Sequence, residues 1–513
     1  MDTAAFTSAS LAPSGVLDAL AGAGFEVGRA RPVRCTVLDT FDGRLHAAGL
    51  RLVLRAAGAT ELVLADGRSA PARTPVAAAP RLAGDLPAGP LRARLAPVLD
   101  VRALLPLATV ASTARPAVRR DGQGKVRVGV EVHERLAVDG RPPVEPPWAV
   151  ELRAATGYAK DAERARRLLR SLGLRPRPGD AVDLALAAAG VDRRGFTGSP
   201  TVALDAGDRA LDAFRRVLAN LARAVDANWQ GTVDDVDPEF LHDLRVAVRR
   251  TRSVLAQGRR VLPADVRARY REEFGWLGAA TGPARDLDVY TIEWDGYVAP
   301  LGPGPAAALE PVRAHIGAQR VSAHAALSDV LRSDRYRRLM DGWRAWAGGS
   351  GPGPVGAGRD AGRPVGAVAA QRIRAAQAQV LDRGRGIDAG TPAEELHELR
   401  KDAKKLRYLL ECFGGLYAPG PRRAFVQRLK ALQDNLGRHQ DAEVHVAQLR
   451  DIAAALPDEG RNEATLVALG QLAESLDRTR RAAREEFAGR FRAYDAKATA
   501  RSLDELLASS PRS

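Results

Sequence analysis

The feature that most limits the folds open to this chain is a repeat. The segment LHDLRVAVRRTR at 241–252 returns as LHELRKDAKKLR at 396–407, so His242 maps onto His397 at an offset of 155 residues. The same offset carries LGAATGPARDLDV (277–289) onto LQDNLGRHQDAEV (432–444), matching Gly282 with Gly437, Asp286 with Asp441 and Asp288 with Glu443. Two separated segments sharing one offset imply a duplicated unit. Around them apolar residues recur at helical spacing, and strand signals vanish from about residue 205 onward. We therefore expect an all-α domain over about 205–505, made of two packed bundles with approximate two-fold symmetry, the repeats lying at about 205–347 and 367–505. Between them GGSGPGPVGAGRDAGRPVG (348–366) is too dense in Gly and Pro for regular structure and predicts a flexible linker.

Upstream the periodicity changes. Short stretches of alternating β-formers (RCTVLDT, LRLVLRA, TELVLA, KVRVGVEVHERLAV, WAVELRA) are punctuated by Gly and Pro from residue 34 to about 155, which predicts a β-rich domain. A helix follows at 160–174, with Leu168, Leu169 and Leu172 on one stripe and Gly173 as its stop, and residues 175–200 include a linker. The chain is thus expected to be a multidomain α+β protein.

Lys plus Arg outnumber Asp plus Glu by 77 to 62, giving a net charge of +15, and the placement of the excess matters more than its size. At about 100° per residue, Arg245, Arg249 and Arg252 fall on one side of His242, with Arg250 flanking them, while Leu244, Val248 and Leu255 point toward a core. The second copy keeps this phase: His397, Arg400, Lys401, Lys404, Lys405 and Arg407 form the basic face, Leu399, Leu406 and Leu410 the apolar one. Few acids stand at i,i+4 spacing to balance either set, and like charges one turn apart repel. A ligand that relieves this repulsion is anionic and extended. Arg offers a planar fork to phosphate oxygens, Lys a mobile point charge, and His a donor that can gain charge beside phosphate.

The twin segments, each a His followed three residues on by Arg and seven and eight on by a basic pair, with GPARDLDV and GRHQDAEV at the expected distance, resemble the CHAD family, the conserved-histidine α-helical domain, over about 205–505. The resemblance implies a helical module that binds inorganic polyphosphate on a basic groove or pore between the repeats. The matching positions are His242, Arg245, Arg249, Arg250 and Arg252, and His397, Arg400, Lys404, Lys405 and Arg407; Lys401, Arg438 and His439 are added by proximity and charge. Asp286, Asp288, Asp441 and Glu443 are expected to hold arginines or cap helices rather than bind metal. His315, His324 and His445 lie outside the motif and are expected to be structural.

In the N-terminal domain VLDTFDGRLHAAGLRLVLR (37–55), with Asp39, Thr40, Asp42, the RLHAAGL turn and the alternating Arg51 and Arg55, resembles the CYTH or triphosphate-tunnel family over about 15–190. That resemblance implies an antiparallel β-barrel that cleaves or senses triphosphates with a divalent metal, Mg or Mn. The family's ExExK first strand is missing. Glu131, Glu134 and Glu151, with Arg115 and Arg119, remain as charged positions, and such a set makes a poor two-metal site. A degenerate, non-catalytic domain that requires no cofactor is expected, with no catalytic and no metal residues assigned.

Other classes fit less well. The two cysteines, Cys35 and Cys412, are far apart in no metal-ligand spacing, which suits a reducing compartment. No charged start with an apolar core opens the chain and no apolar run reaches about 18 residues, so a cytoplasmic protein is expected, with polyphosphate granules as the site its family resemblance suggests. Aromatics are only 5% of residues, with Tyr408 alone beside the motifs, leaving little for base stacking; nucleic-acid binding is expected to be weak and nonspecific at most. The enzymatic alternative, an inorganic triphosphatase fed by the helical domain, has the missing ExExK against it. The face opposite the charges is needed for the bundle core, which leaves none for lipid.

Overall fold

Alternation of apolar and polar residues organises the first half of the chain into strands, and helical periodicity takes over in the second. The computed structural model describes residues 4–8, 11–66, 71–155, 157–196, 202–349 and 356–509. They fall into two units, Met1–Thr197 and Gly198–Ser513.

The first unit is an antiparallel sheet. Its strands are β1 (Ala4–Thr7), β2 (Glu26–Val27), β3 (Arg31–Asp39), β4 (Arg51–Ala57), β5 (Ala59–Ala65), β6 (Ala72–Pro75), β7 (Leu105–Arg120), β8 (Val126–Val138), β9 (Ala149–Ala154) and β10 (Arg175–Arg177). They pair in the order β10-β1-β9-β8-β7-β3-β4-β5-β6, with β2 on β7. The ladder ends on two different edge strands among the described residues, so the sheet is open, and the expected barrel is corrected on this point. Closure would need β6 to pair with β10, and β6 is only four residues long.

Helices α1 (Pro13–Gly22), α2 (Arg44–Ala47), α3 (Pro90–Leu99), α4 (Ala159–Ser171) and α5 (Ala181–Ala188) complete the unit. Val16 and Leu20 of α1 and Leu169 of α4 pack with Val128, Val130 and Val132 of β8, while Ala185 and Leu186 of α5 pack with Val33, Val53 and Val110. Asp39 ends β3 and builds the next turn. Its carboxylate accepts from the main-chain nitrogens of Thr40 at 2.7 Å, Leu45 at 2.9 Å and His46 at 3.0 Å, holding the short helix α2 in place.

The second unit is all-helical: α6 (Ala210–Val233), α7 (Pro238–Gln257), α8 (Ala264–Ala280), α9 (Gly282–Val298), α10 (Pro303–Ala308), α11 (Glu310–Arg332), α12 (Asp334–Gly348), α13 (Val365–Arg385), α14 (Ala393–Cys412), α15 (Pro419–Ala455), α16 (Glu463–Tyr494) and α17 (Lys497–Ala508). α7 starts cleanly because Asp237 accepts from the Glu239 nitrogen as its N-cap and Pro238, with no N–H to satisfy, stands at the first turn. The predicted core stripe is buried on both basic helices: Leu244, Val248 and Leu255 on α7, Leu399, Leu406 and Leu410 on α14.

Helices α6, α7 and α8 begin at Ala210, Pro238 and Ala264, and α13, α14 and α15 begin 155 residues later, at Val365, Ala393 and Pro419. The second repeated segment differs between the halves. Residues 277–289 cross the junction of α8 and α9 at Thr281, whereas 432–444 lie inside the continuous α15. Pro283 explains the junction, since it has no N–H to donate to the preceding turn, and Arg438 stands in its place in the second half.

Within the Gly/Pro stretch at 348–366, residues 350–355 lie outside the described residues. The part that follows is tied down, contrary to the expected flexibility. The Gly358 nitrogen donates to the Val261 carbonyl at 3.2 Å, the Asp360 nitrogen to the Arg260 carbonyl at 2.8 Å, and the Arg260 side chain pairs with the buried Asp360 carboxylate at 2.9 Å. Gly358 is required there, because a Cβ would come within 2.3 Å of the Arg260 carbonyl oxygen.

Candidate functional site: a basic cavity between two helices

Helices α7 and α14 pack against each other and turn their basic faces to one opening. A cavity of about 770 Å³ lies there, lined from α7 by His242, Asp243, Val246, Arg249 and Arg250, and from α14 by Arg400, Lys404, Arg407, Tyr408 and Glu411. Helix α15 supplies the floor with Gln433, Asp434, Gly437, Arg438 and Asp441, residues at helical spacing along one of its faces. A second cavity of about 340 Å³ shares Arg249, Lys404 and Tyr408 with the first and adds Arg252, Arg271, Lys401 and Lys405. Arg249 and Lys404, which the 155-residue offset maps onto each other, therefore line both openings.

Several of the expected site residues turn out to be compensated, some by acids on their own helix and some by acids on other helices. Glu411 accepts from Arg250 at 2.7 Å and from Arg407 at 2.7 Å. Arg400 pairs with Asp441 at 2.7 Å, Lys405 with Asp402 at 2.7 Å, Arg438 with Glu486 at 2.6 Å, and Lys401 with Glu398. Asp441 and Glu486 lie on other helices, so no scan of one helix face could find them. Among the described residues Arg249, Arg252 and Lys404 have no carboxylate within ion-pairing distance, and the buried Arg249 Nε has no hydrogen-bond partner.

Lys404 carries the electrostatic consequence. Burial, with Arg400 and Arg249 as like-charged neighbours, lowers its ammonium to about 8, only partly opposed by Asp441. These surroundings thus disfavour the positive charge on Lys404, and an anion placed beside it would restore it.

Three expected positions are not on either cavity. Arg245 is turned to the end of α8, where it donates to the Gly278 carbonyl at 3.1 Å and the Thr281 hydroxyl at 2.8 Å. That end of α8 exposes carbonyls without intrahelical partners, which a guanidinium satisfies. His439 is buried, and burial keeps its imidazole below the ordinary value. His397 is exposed beside the Gln440 side chain at 2.6 Å, away from the lining, while its counterpart His242 lies in it.

Of the four acids, Asp288 and Asp441 hold arginines. Asp288, with no exposed surface, receives Arg320 at 2.7 Å and His324 at 3.0 Å, and Asp235 receives the other side of Arg320 at 2.6 Å. His445 packs between Tyr290 and Tyr297, at ring-centroid distances of 4.7 and 5.2 Å.

The first unit has its own cavity, about 300 Å³, where apolar side chains such as Val53, Val110 and Leu136 face Arg51, Arg55, Arg153, His133, Glu151 and Asp180. Glu131, His133 and Glu151 offer ligand atoms within 4.8 Å of one another. A divalent metal does not fit them well. Glu131 already holds Arg31 at 2.9 Å and Arg55 at 3.1 Å, Glu151 holds Arg153 at 2.6 Å, and Arg51 is taken by Asp180 and by Asp183 at 2.7 Å. These guanidiniums already occupy carboxylate oxygens a cation would need, and the carboxylates in turn cancel the charge a triphosphate would need. His133 was missed from sequence although strand alternation puts it on the same face as Glu131; the same alternation sends Glu134 to the other face, beside Arg115 at 4.0 Å.

Comparison with known proteins follows the same division. The CHAD domain family matches residues 216–450, which span α7, α14 and the α15 floor. The chain carries a CHAD domain. Two uncharacterized proteins from strains of Mycobacterium tuberculosis are each 28% identical to it over 241 residues, 46% of this chain and 45% of theirs, so the match spans just under half the length of those relatives. The crystal structure of the CHAD domain from the plant Ricinus communis is 28% identical, with a TM-score of 0.45, covering 60% of this chain and 96% of that one. PptA from Streptomyces chartreusis is 21% identical, with a TM-score of 0.43, covering 56% of this chain and all of that one. No helix among the described residues is long and apolar enough to cross a membrane.

Proposed function

We propose that the CHAD domain binds inorganic polyphosphate in the cavity between α7 and α14 and does so without catalysis. The observation that carries this reading is the pair of cations at its centre. Arg249 and Lys404 come from equivalent positions of the two copies, share both cavities, and lack carboxylate partners among the described residues. Two neighbouring uncompensated cations in a partly buried site are costly until an anion arrives, and an extended anion reaches both openings past them. Phosphate chains suit the donors, since the lining mixes guanidinium forks with a mobile ammonium.

In this reading the first unit is a scaffold rather than a triphosphatase, because its carboxylates and guanidiniums are spent on each other. The chain would act in the cytoplasm, at polyphosphate granules. Titrating the whole chain and its Arg249→Glu/Lys404→Glu variant with long-chain polyphosphate tests the site. Two charge-assisted contacts are worth about 1.5–3 kcal/mol each, so the folded variant should bind at least about 100-fold more weakly. Unchanged affinity in a folded variant would refute the site.

A further inference from the structure

A carboxylate stands inside this cavity where a ligand's oxygens would go. Glu411 lines it from the last turn of α14 and is about four-fifths buried. One oxygen receives Arg250 across the helix pair, Nε at 2.9 Å and Nη2 at 2.7 Å; the other receives Arg407 Nε at 2.7 Å. The two guanidiniums therefore chelate one carboxylate much as they would a phosphate group, with two oxygens each facing a planar donor. Arg250 is itself nearly buried, so it has little freedom to find another partner.

We propose that Glu411 is an internal counter-anion: it neutralises the Arg250 and Arg407 subsite when no ligand is bound and is displaced when a phosphate of the ligand takes its place. The proposal rests on the polyphosphate reading above. Its consequence is selectivity by charge density. A monoanion gains nothing over the carboxylate it must displace, whereas a phosphate group inside a chain brings neighbouring charges that Arg249 and Lys404 collect in the same event. Displacement also leaves Glu411 as a negative wall against weakly charged ligands.

The substitution Glu411→Gln tests this, since the amide keeps the shape and one acceptor but removes the charge. Polyphosphate should bind the full-length variant about tenfold more tightly than the wild-type chain, with a gain at least as large for tripolyphosphate. Unchanged or weaker binding in a folded variant would overturn the proposal, the weaker result meaning that Glu411 orients the arginines for the ligand instead of competing with it. Should the variant fail to fold, a structure of the wild-type chain saturated with polyphosphate decides. Arg250 and Arg407 on phosphate oxygens, with Glu411 turned away, is the expected arrangement; both pairs intact beneath a bound chain would overturn it. Failure of wild-type binding altogether is the distinct result that removes the polyphosphate reading.

Discussion

The Tyr290 hydroxyl donates to the main-chain carbonyl of His445 over 2.9 Å, and the two residues are 155 positions apart. That separation equals the offset of the sequence repeat, which maps Tyr290 onto His445. In a two-fold arrangement a residue meets its own counterpart only beside the axis. With the matching helix starts and the adjacency of Arg249 and Lys404, this contact leads us to infer a duplicated domain whose pseudo-axis passes near both pairs. Removing the hydroxyl with Tyr290→Phe should cost about 1 kcal/mol of stability in chemical denaturation and leave ligand binding unchanged. A loss of binding at unchanged stability would contradict that placement.

Lys404 gives the cavity a pH signature. A bound polyanion favours the ammonium, so the lysine's lowered value of about 8 rises on binding and a proton is taken up between the two values. Affinity should fall as pH rises through about 8. Calorimetry at about pH 8.5 in two buffers of different ionisation enthalpy would show the uptake, and Lys404→Arg, charged throughout, should abolish it. For folding the sign is reversed. The unfolded chain, near 10.5, holds this proton more tightly than the folded one, so the group's penalty is full below about 8 and is relieved between about 8 and 10.5.

Arg245 was expected in the site but is bound to the end of α8. Arg245→Ala should cost about 1–3 kcal/mol of stability, because the Gly278 carbonyl and Thr281 hydroxyl lose their donor, and should change polyphosphate affinity by less than about threefold. Denaturation and titration of the same sample separate the two effects. An affinity loss as large as that of Arg249→Ala would restore Arg245 to the site.

Asp288 is a folding residue. Asp288→Ala leaves Arg320 and His324 without their buried carboxylate and should destabilise the helical unit by about 3–5 kcal/mol. A melting temperature within a degree or two of the wild-type value would contradict that role.

For the first unit, the wild-type chain should release no phosphate from tripolyphosphate with Mg or Mn. Glu131→Ala should instead lower its stability by about 3 kcal/mol or more, since Arg31 and Arg55 lose a shared partner. Metal-dependent release abolished by Glu131→Ala would show a working active site.

The two halves of the chain were unequally legible. Helical period and the 155-residue offset located α7 and α14 and their buried leucines, because both signals are carried by short stretches of sequence without reference to tertiary contacts. Compensation of charge was not legible: Glu411 reaches Arg250 across two helices, and Asp441 comes from α15. The spacing of Gln433, Gly437 and Asp441 on one face of α15 held a usable signal, as did the i,i+4 pair Arg407 and Glu411. Arg245 was misplaced because helical phase gives the direction of a side chain and not the length at which a neighbouring helix end captures it. Sheet closure depends on strand lengths and pairing at the edges, which alternation alone does not report.

The central claim is that the cavity is shaped for phosphate chains and is more than a generic basic surface. It is tested most directly by titrating the wild-type chain with long-chain polyphosphate and with duplex DNA at matched phosphate concentration and near-physiological salt, where nonspecific electrostatic binding is weak. Tight binding of polyphosphate with little binding of DNA is the result this account predicts. Equal, salt-sensitive binding of both would contradict it.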